Sequence, residues 1–292
     1  MMIYQKYQKP IKNSYRRAMV TRNIKIRKIR NSVRFNGGYY LNEDALNSSL
    51  LEDHYDNCTP LEELANVWNP PIFKRQFCKK TERAIPYCQS SDVTNALEGS
   101  DVYINKAQAT KVGSVVEENQ ILLTGFGTIG NTRLINELSA GISYANNACR
   151  IQVNDGSSYG YIYAVMSSKY GRSQLNKNAS GSVVRYIEAP GVKKTLIPNI
   201  SKFKQENINS LIIDSSKLRV EANKLLTEAI NILEDRLPNI EFENIYESKI
   251  SSRVKENLRI EATFNTNAIE NFYKNLDGDN VELKSIFELS QK

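Results

Sequence analysis

The segment Gly125–Gly130, with the sequence GFGTIG, is the first candidate for chemistry because it fits the pattern G-x-G-x-x-G and follows the apolar run Ile121–Thr124. In dinucleotide-binding folds such glycines let the backbone approach a pyrophosphate at the N-terminus of a helix. The next residues, 131–136, are β-branched and bounded by turn residues, a pattern that does not open a helix. The sequence therefore predicts a glycine-bent hairpin whose backbone comes close to another group, for which a phosphate is one candidate.

A second candidate is Asn69-Pro70-Pro71-Ile72, which is similar to the Asn-Pro-Pro-aromatic motif with which adenine methyltransferases hold a flipped base. Ile72 stands where the stacking ring is needed, and no glycine-rich cofactor motif precedes it on a strand. Two prolines also suit a loop that leaves the segment ending at Trp68. The two motifs together define an alternative function, a nucleotide- or S-adenosylmethionine-dependent transferase that uses Gly125–Gly130 and Asn69-Pro70-Pro71.

Catalytic groups of other kinds are scarce. His54 is the only histidine, so neither a Ser-His-Asp set nor a histidine-rich metal site can be assembled, and its acidic neighbours indicate a solvated surface imidazole. The cysteines form no C-x-x-C pair and are expected to be reduced, mostly buried thiols; they are Cys58, Cys78, Cys88 and Cys149. We expect no catalytic residue, no metal and no cofactor, and we expect the chain not to be an enzyme.

Basic, amide and hydroxyl residues offer a third kind of chemistry. Arg and Lys can contact phosphates or guanine edges, and Asn and Gln can pair with adenine. The candidate DNA-binding residues are Lys74, Arg75, Lys79, Lys80, Arg83, Gln89, Ser90, Ser91, Asp92, Thr128, Asn131, Arg133, Arg172, Lys177, Asn178, Ser180 and Arg185. We expect the loops Lys74–Asp92 and Gly125–Arg133 to enter the major groove.

The first thirty residues hold ten of the basic side chains and no acid, so their formal charge of +10 exceeds the +7 of the whole chain. A basic, acid-free arm commonly runs along phosphates and releases counterions. An unstructured start or a docking strand remains the alternative. The chain has no apolar run of about eighteen residues and no secretion core behind the first charges, so we expect a soluble, cytoplasmic protein without contact to a membrane.

The elements that must position these residues follow from the periodicity of the sequence. A lead-in over residues 31–57 contains a helix around Glu43–Glu52, and residues 59–198 predict an α/β domain with a strong β component and few helices, of which Tyr159–Ser168 is the best candidate. The predicted strands are Ile121–Thr124, Thr132–Ile135, Ala148–Val153 and Ser182–Ile187.

The clearest periodic signal predicts a long, coiled-coil-like helix from Gln205 to Arg236, about 48 Å long at 1.5 Å per residue. Its apolar positions step by three and four, and Pro238 ends it. Such a narrow seam predicts contact with another helix, whereas a helix lying on its own domain usually has a wider apolar face. The predicted helix-docking residues are Ile208, Leu211, Leu218, Leu225 and Ile232, with small Ser215, Ala222 and Ala229 between them.

A weak internal repeat relates residues 31–39 to 256–264 and residues 60–64 to 282–286. The chain thus ends where a second copy of the β-rich domain would begin. The predicted domains are a basic arm (1–30), a recognition domain with its lead-in (31–200), the long helix (201–238) and an incomplete second repeat (239–292).

Five segments in this order resemble the target-recognition domain and conserved helix of type I restriction-modification specificity subunits; they are Pro86–Val93, Ile121–Gly130, Asn146–Arg150, Gly181–Val184 and Ile197-Pro198. The resemblance covers about residues 31–237. It implies a non-catalytic subunit with two tandem recognition domains, separated by antiparallel helices, that reads a bipartite site in double-stranded DNA.

The same resemblance implies the partners, namely a DNA adenine methyltransferase subunit docked on the helices and a restriction and translocase subunit. Because this sequence stops as the second domain starts, it corresponds to a truncated product, to one partner of a recombining locus, or to a half-subunit that forms a homodimer through the long helix. A coiled-coil scaffold with an unrelated β-rich head remains a further alternative.

Overall fold

The computed structural model describes residues 23–26, 29–30, 35, 37–181 and 184–236. The chain divides into two compact units, Met1–Asn223 and Lys224–Lys292. Most of the predicted basic arm and all of the predicted second repeat lie outside the described residues. The predicted domain boundaries therefore stay predictions.

In chain order the helices are α1 (Gly37–Leu41), α2 (Glu43–Glu52), α3 (Leu61–Leu64), α4 (Lys106–Lys111), α5 (Tyr159–Ser167), α6 (Lys169–Asn178), α7 (Ala189–Val192) and α8 (Lys202–Glu234). The strands are β1 (Cys58–Pro60), β2 (Ala65–Trp68), β3 (Phe77–Cys78), β4 (Ala84–Cys88), β5 (Tyr103–Asn105), β6 (Ile121–Thr124), β7 (Thr132–Leu134), β8 (Ser143–Tyr144), β9 (Ala148–Val153) and β10 (Leu196–Pro198). Two 3-10 turns cover Tyr55–Asn57 and Ser90–Thr94.

The first sheet has the order β2-β9-β6-β7 and is antiparallel throughout. Strand β6 is apolar from Ile121 to Leu123, as expected for a strand that is buried on both faces of the sheet. Ile121 and Leu123 belong to the core that includes Ile162 of α5 and Leu175 of α6. Leu122 points to a second core on the other face.

The second sheet has the order β3-β5-β4-β8, with β4 and β8 parallel. The fully buried Arg150 of β9 ties it to the first sheet, because its guanidinium donates to the carbonyl oxygens of Tyr144 at 2.6 Å, Ala145 at 2.8 Å and Ser114 at 3.0 Å. Burial lowers the pKa of Arg150 to about 10. Strands β1 and β10 form a separate antiparallel pair.

Most predicted elements are confirmed: the α/β class, α2, the strands at Ile121–Thr124 and Ala148–Val153, and the long helix. The predicted strand Ser182–Ile187 is wrong, because in its described part only Tyr186 makes bridges, to Phe126 and Ser180. The expectation of few helices missed α6. Its sequence KYGRSQLNKN is polar and buries one large apolar side chain, Leu175. Its N-terminus is capped by Ser168, whose Oγ accepts from Gly171 N at 3.2 Å.

Candidate nucleic-acid interface

Four chain segments meet at one edge of the first sheet. Because the sheet is antiparallel, the ends of β2 and β6 and the starts of β7 and β9 lie at the same edge. We call this region the loop edge; it comprises residues 69–76, 125–131 and 146–147 and the described residues of 180–187. The last segment joins through the bridge between Phe126 and Tyr186.

Asn69 ties two of these segments to each other and to the start of α7. Its Nδ2 donates to Asn146 O at 3.1 Å, and its Oδ1 accepts from Ala189 N at 2.9 Å. Because both ends of the amide bind the protein's own backbone, Asn69 does not present them to a flipped base. The geometry therefore gives no support to a methyltransferase motif at Asn69-Pro70-Pro71.

Gly125 lets two segments approach closely. Its N–H donates to Asn147 O at 3.1 Å and its carbonyl accepts from Ile187 N at 2.7 Å, while a Cβ there would lie 2.5 Å from Ile187 O. The close neighbour is thus protein backbone. The segment Gly125–Gly130 links the antiparallel strands β6 and β7, which confirms the predicted hairpin. Since no helix begins there, it does not have the geometry of a dinucleotide-binding turn.

Exposed cations line the loop edge. Lys74 and Arg75 follow β2, and Arg172 lies beside the hairpin, with its Cγ 3.4 Å from where a Cβ of Gly130 would be. Arg185 is exposed and donates to Asn176 O. The stretches 119–136 and 156–187 of the sequence contain no Asp or Glu. A surface with this charge attracts phosphates.

Residues 74–92, predicted as one loop, instead contain β3, β4 and the start of a 3-10 turn. Arg83 precedes β4 and Gln89 follows it, and the first and last residues of this strand lie about 13 Å apart. Lys79, Lys80 and Arg83 are exposed. Lys80 Nζ lies 5.9 Å from the centroid of the Tyr103 ring.

The Gln108 side chain fixes the basic segment that follows β2 through two hydrogen bonds. Its Nε2 donates to Lys74 O at 2.8 Å and its Oε1 accepts from Gln76 N at 3.0 Å. The guanidinium of Arg75 then lies 5.3 Å from the centroid of the Tyr87 ring. A basic side chain over an aromatic face is held in place while it stays exposed.

The polar residues of the predicted set differ in availability. Asp92 is engaged locally, because its Oδ2 accepts from Gln89 N at 2.7 Å. Thr128 and Ser180 are exposed, and the N–H of half-buried Asn131 donates to Thr124 Oγ1 at 3.1 Å. Gln89 and Ser91 are exposed and Ser90 is half-buried.

Two of the predicted DNA-binding residues are engaged inside the protein. Arg133 is 3% exposed, its Nε donates to Val93 O at 2.8 Å, and its Nη1 pairs with Glu98. Lys177 pairs with Glu52 at the α2–α6 contact, where its side chain is only 9% exposed. Neither cation can reach a base edge or a phosphate without breaking a buried ion pair.

Sequence reasoning missed the aromatic rings of the loop edge. Phe126 and Tyr186 stack with ring centroids 5.6 Å apart and an interplanar angle of 16°. Both are exposed, at 39% and 38%, as is Ile72. Phe126 lies inside a glycine motif and Tyr186 inside a predicted strand, so neither position indicated a pair.

The part of helix α8 that belongs to the first unit packs through one face, and the predicted seam is left open. Ile208, predicted as a docking residue, packs with Ile212 against the protein's own core, which corrects that expectation. Asn209 Oδ1 accepts from Gly160 N at 2.8 Å on the same face. The remaining predicted docking residues recur every seven positions and are all exposed: Leu211, Leu218, Leu225 and Ile232.

Within the first unit, a buried carboxylate joins α8 to strand β7. Glu98 pairs with Arg133 of β7 and accepts from Arg219 Nε at 3.1 Å. Next to it, Asn223 Oδ1 accepts from Glu98 N at 2.9 Å and its Nδ2 donates to Ala96 O at 3.2 Å. The segment after the 3-10 turn at Ser90–Thr94 is thereby fixed to the helix.

Within the part of the chain that the structure describes, no three His, Cys, Asp or Glu side chains come together as a metal site. In the same residues, no helix has both the length and the apolar character needed to span a bilayer.

No protein-family model and no curated protein matches the sequence. Among solved structures, the chain is similar to the type I restriction-modification S subunit from M. genitalium, with a TM-score of 0.41 and 16% identity over 61% of this chain and 42% of that one. It is also similar to the HsdS subunit from Thermoanaerobacter tengcongensis, with a TM-score of 0.37 and 11% identity over 63% and 48% of the two chains.

A third similar structure is the type IIG restriction endonuclease BpuSI, with a TM-score of 0.46 and 10% identity over 65% of this chain and 30% of that one. Two of the three structures are type I specificity subunits, the family that the sequence resembles. The chain spans less than half the length of either. At TM-scores below 0.5 these similarities are too distant to assign a function.

Proposed function

We propose that this chain is a non-catalytic, sequence-specific DNA-recognition subunit of the type I restriction-modification kind. The observation that carries the proposal is the convergence of exposed basic residues on the loop edge, in sequence stretches without acids. Lys74, Arg172 and Arg185 contact phosphates and set the register of the domain on the duplex. Thr128 and Gln89 have the hydroxyl and amide groups that can contact base edges.

The rigidity of the loop edge supports specific rather than non-specific binding. Gly125 and Asn69 hold its segments against one another through hydrogen bonds to backbone groups, and the Gln108 side chain fixes the segment that follows β2. Groups that are already in position lose little conformational entropy on binding. A preformed surface can therefore discriminate between base sequences by shape and by hydrogen bonding.

The open seam of α8 supports a docking role. Leu211 and Leu218 are 69% and 65% exposed, although leucine side chains in water forgo the free energy of burial. The small residues Ser215 and Ala222 between them allow close approach of a second helix. We propose that the seam binds either a second copy of α8, which restores a reader of two half-sites, or a helix of a DNA adenine methyltransferase subunit that acts with a restriction and translocase subunit.

Fluorescence anisotropy with a 30-base-pair duplex tests the DNA-binding role. The affinity should fall steeply and log-linearly as salt rises from about 50 to 200 mM, since each phosphate contact contributes about 0.9 to the slope. Titration calorimetry with S-adenosylmethionine, carried out on the same chain, should give no heat of binding. A chain that binds S-adenosylmethionine stoichiometrically, or that fails to bind duplex DNA at low salt, would contradict the proposal.

A further inference from the structure

The rings of an aromatic pair stand open on the loop edge, outside the buried cores. Phe126 and Tyr186 place their rings 5.6 Å apart and nearly parallel, and more than a third of each residue is exposed. Neither residue is part of the buried cores. Val184, 61% exposed, lies two residues from Tyr186.

The backbone holds this pair rigidly. Ser180 N donates to Tyr186 O at 2.8 Å, Tyr186 N donates to Ser180 O at 2.9 Å, and Gly127 N donates to Arg185 O at 3.1 Å. Gly181 has a φ of +88° and lies so close to Val184 O that no side chain would fit there. The rings are thus presented by main-chain hydrogen bonds and glycine geometry rather than by core packing.

The charges around the pair match a nucleotide. Arg185 precedes Tyr186, Arg172 lies beside the Gly125–Gly130 hairpin, and both guanidinium-bearing residues are exposed. The sequence stretches that carry the two rings, 119–136 and 156–187, have no carboxylate side chain. A flat aromatic surface bordered by cations suits a base that stacks while its phosphate meets a guanidinium.

We propose that Phe126 and Tyr186 form a stacking platform for a nucleobase that has left the base stack of bound DNA. The inference rests on the proposed function, because it assigns one contact within the same interface. Stacking is indifferent to the identity of the base, so the platform holds the distorted strand while the other groups of the loop edge read sequence.

Two duplexes that differ by one unpaired base test the platform. The first is fully paired, and the second carries a single bulged 2-aminopurine. Wild-type chain should bind the bulged duplex more tightly by about 5- to 150-fold, the range of one base-aromatic stack. Tyr186→Leu and Phe126→Leu should lose this ratio, and Tyr186→Phe should retain it because it keeps the ring.

Equal affinity of the wild-type chain for both duplexes would overturn the platform and leave the DNA-binding role standing. Binding to neither duplex would instead overturn the proposed function itself. A ratio that survives in both folded Leu variants would likewise contradict the platform.

The fluorescence of the bulged 2-aminopurine gives a second test. Stacking quenches this base, so at saturation it should be less fluorescent with the wild-type chain than with Tyr186→Leu, which has no ring at that position. Equal fluorescence in the two saturated complexes would mean that the base does not stack on Tyr186. That result would overturn the proposal.

Discussion

Glu98 and Arg219 lie 121 residues apart in sequence, yet Arg219 Nε donates to the Glu98 carboxylate at 3.1 Å. The same carboxylate pairs with Arg133, and the side chains of Glu98 and Arg133 are 4% and 3% exposed. The long helix is therefore attached to the β-rich part of the chain through a buried charge.

Replacing this carboxylate should destabilise the protein strongly. In Glu98→Gln the buried Arg133 loses its counter-charge, and the expected loss in the free energy of unfolding is about 3–5 kcal/mol. Urea denaturation followed by circular dichroism measures it. The matched control is Asp214→Asn, which removes an exposed pair with Lys217 on the same helix and should change stability by less than about 1 kcal/mol. Equal effects of the two variants would refute the buried role of Glu98.

Removing exposed cations of the loop edge should weaken DNA binding without changing stability. Arg172→Ala and Lys74→Ala should each lower the salt slope by about 0.9, because each loses one phosphate contact. Lys202→Ala, at the exposed start of α8, is the control for a general loss of positive charge. If the control lowers the slope as much as the loop-edge variants do, the interface lies elsewhere.

The open seam of α8 predicts a variant that folds normally but does not associate. Leu218→Asp with Leu225→Asp should lower the free energy of unfolding by no more than about 1 kcal/mol, the summed helix-propensity cost of two changes at exposed positions. Sedimentation should show loss of the dimer, or of the methyltransferase complex, since an unpaired charge would be buried in either interface. Thr227→Asp adds a charge to an exposed position away from the seam. Unchanged mass and unchanged partner binding in the double variant would exclude the seam.

The thiols should differ sharply in reactivity. Cys78 is exposed, whereas burial raises the pKa of Cys88 to about 11 and that of Cys149 to about 12. Iodoacetamide at pH 8 should therefore modify Cys78 first, as mass spectrometry can establish against a Cys78→Ser control. Rapid modification of Cys149 in the native protein would contradict the packing of β9.

The raised pKa values of the buried thiols also predict how the stability of the protein depends on pH. A buried thiol whose folded pKa lies above its unfolded value stays protonated while the unfolded chain ionises. Its contribution to stability is complete below pH 9 and is lost as the pH rises through the folded value of Cys88, about 11. Urea titrations at pH 8 and pH 10.5 should show a lower free energy of unfolding at the higher pH. Replacing Cys88 by Ala should reduce that difference.

Local sequence patterns were enough to predict strands β6, β7 and β9 and the long helix. These strands are short runs bounded by turn residues, and α8 repeats its apolar residues along one seam. Helix α6 was not predicted because its buried side includes the polar residue Gln174. The Gln174 side chain forms two hydrogen bonds with the backbone of Leu196, which is distant in sequence. The spacing of apolar residues in the sequence does not reveal such a distant hydrogen-bond partner.

The candidate interface was only partly predictable for the same reason. Arg133 has the residue type and the neighbours of a base-reading arginine, but Glu98, 35 residues away, takes its guanidinium into the interior. Phe126 and Tyr186 meet only because the Gly125 hairpin lies against the segment before α7. Which cations stay exposed and which rings meet is decided by tertiary contacts that no single segment encodes.

Selection of duplexes from a pool with a randomised 20-base-pair region tests the central claim most directly. The full chain should enrich a defined base pattern, and Thr128→Ala or Gln89→Ala should relax the preference at individual positions within it. Arg133→Ala, which removes a buried residue, should lower stability without relaxing any one position. A bound pool with the same base composition at every position as the input would contradict sequence-specific recognition by this chain.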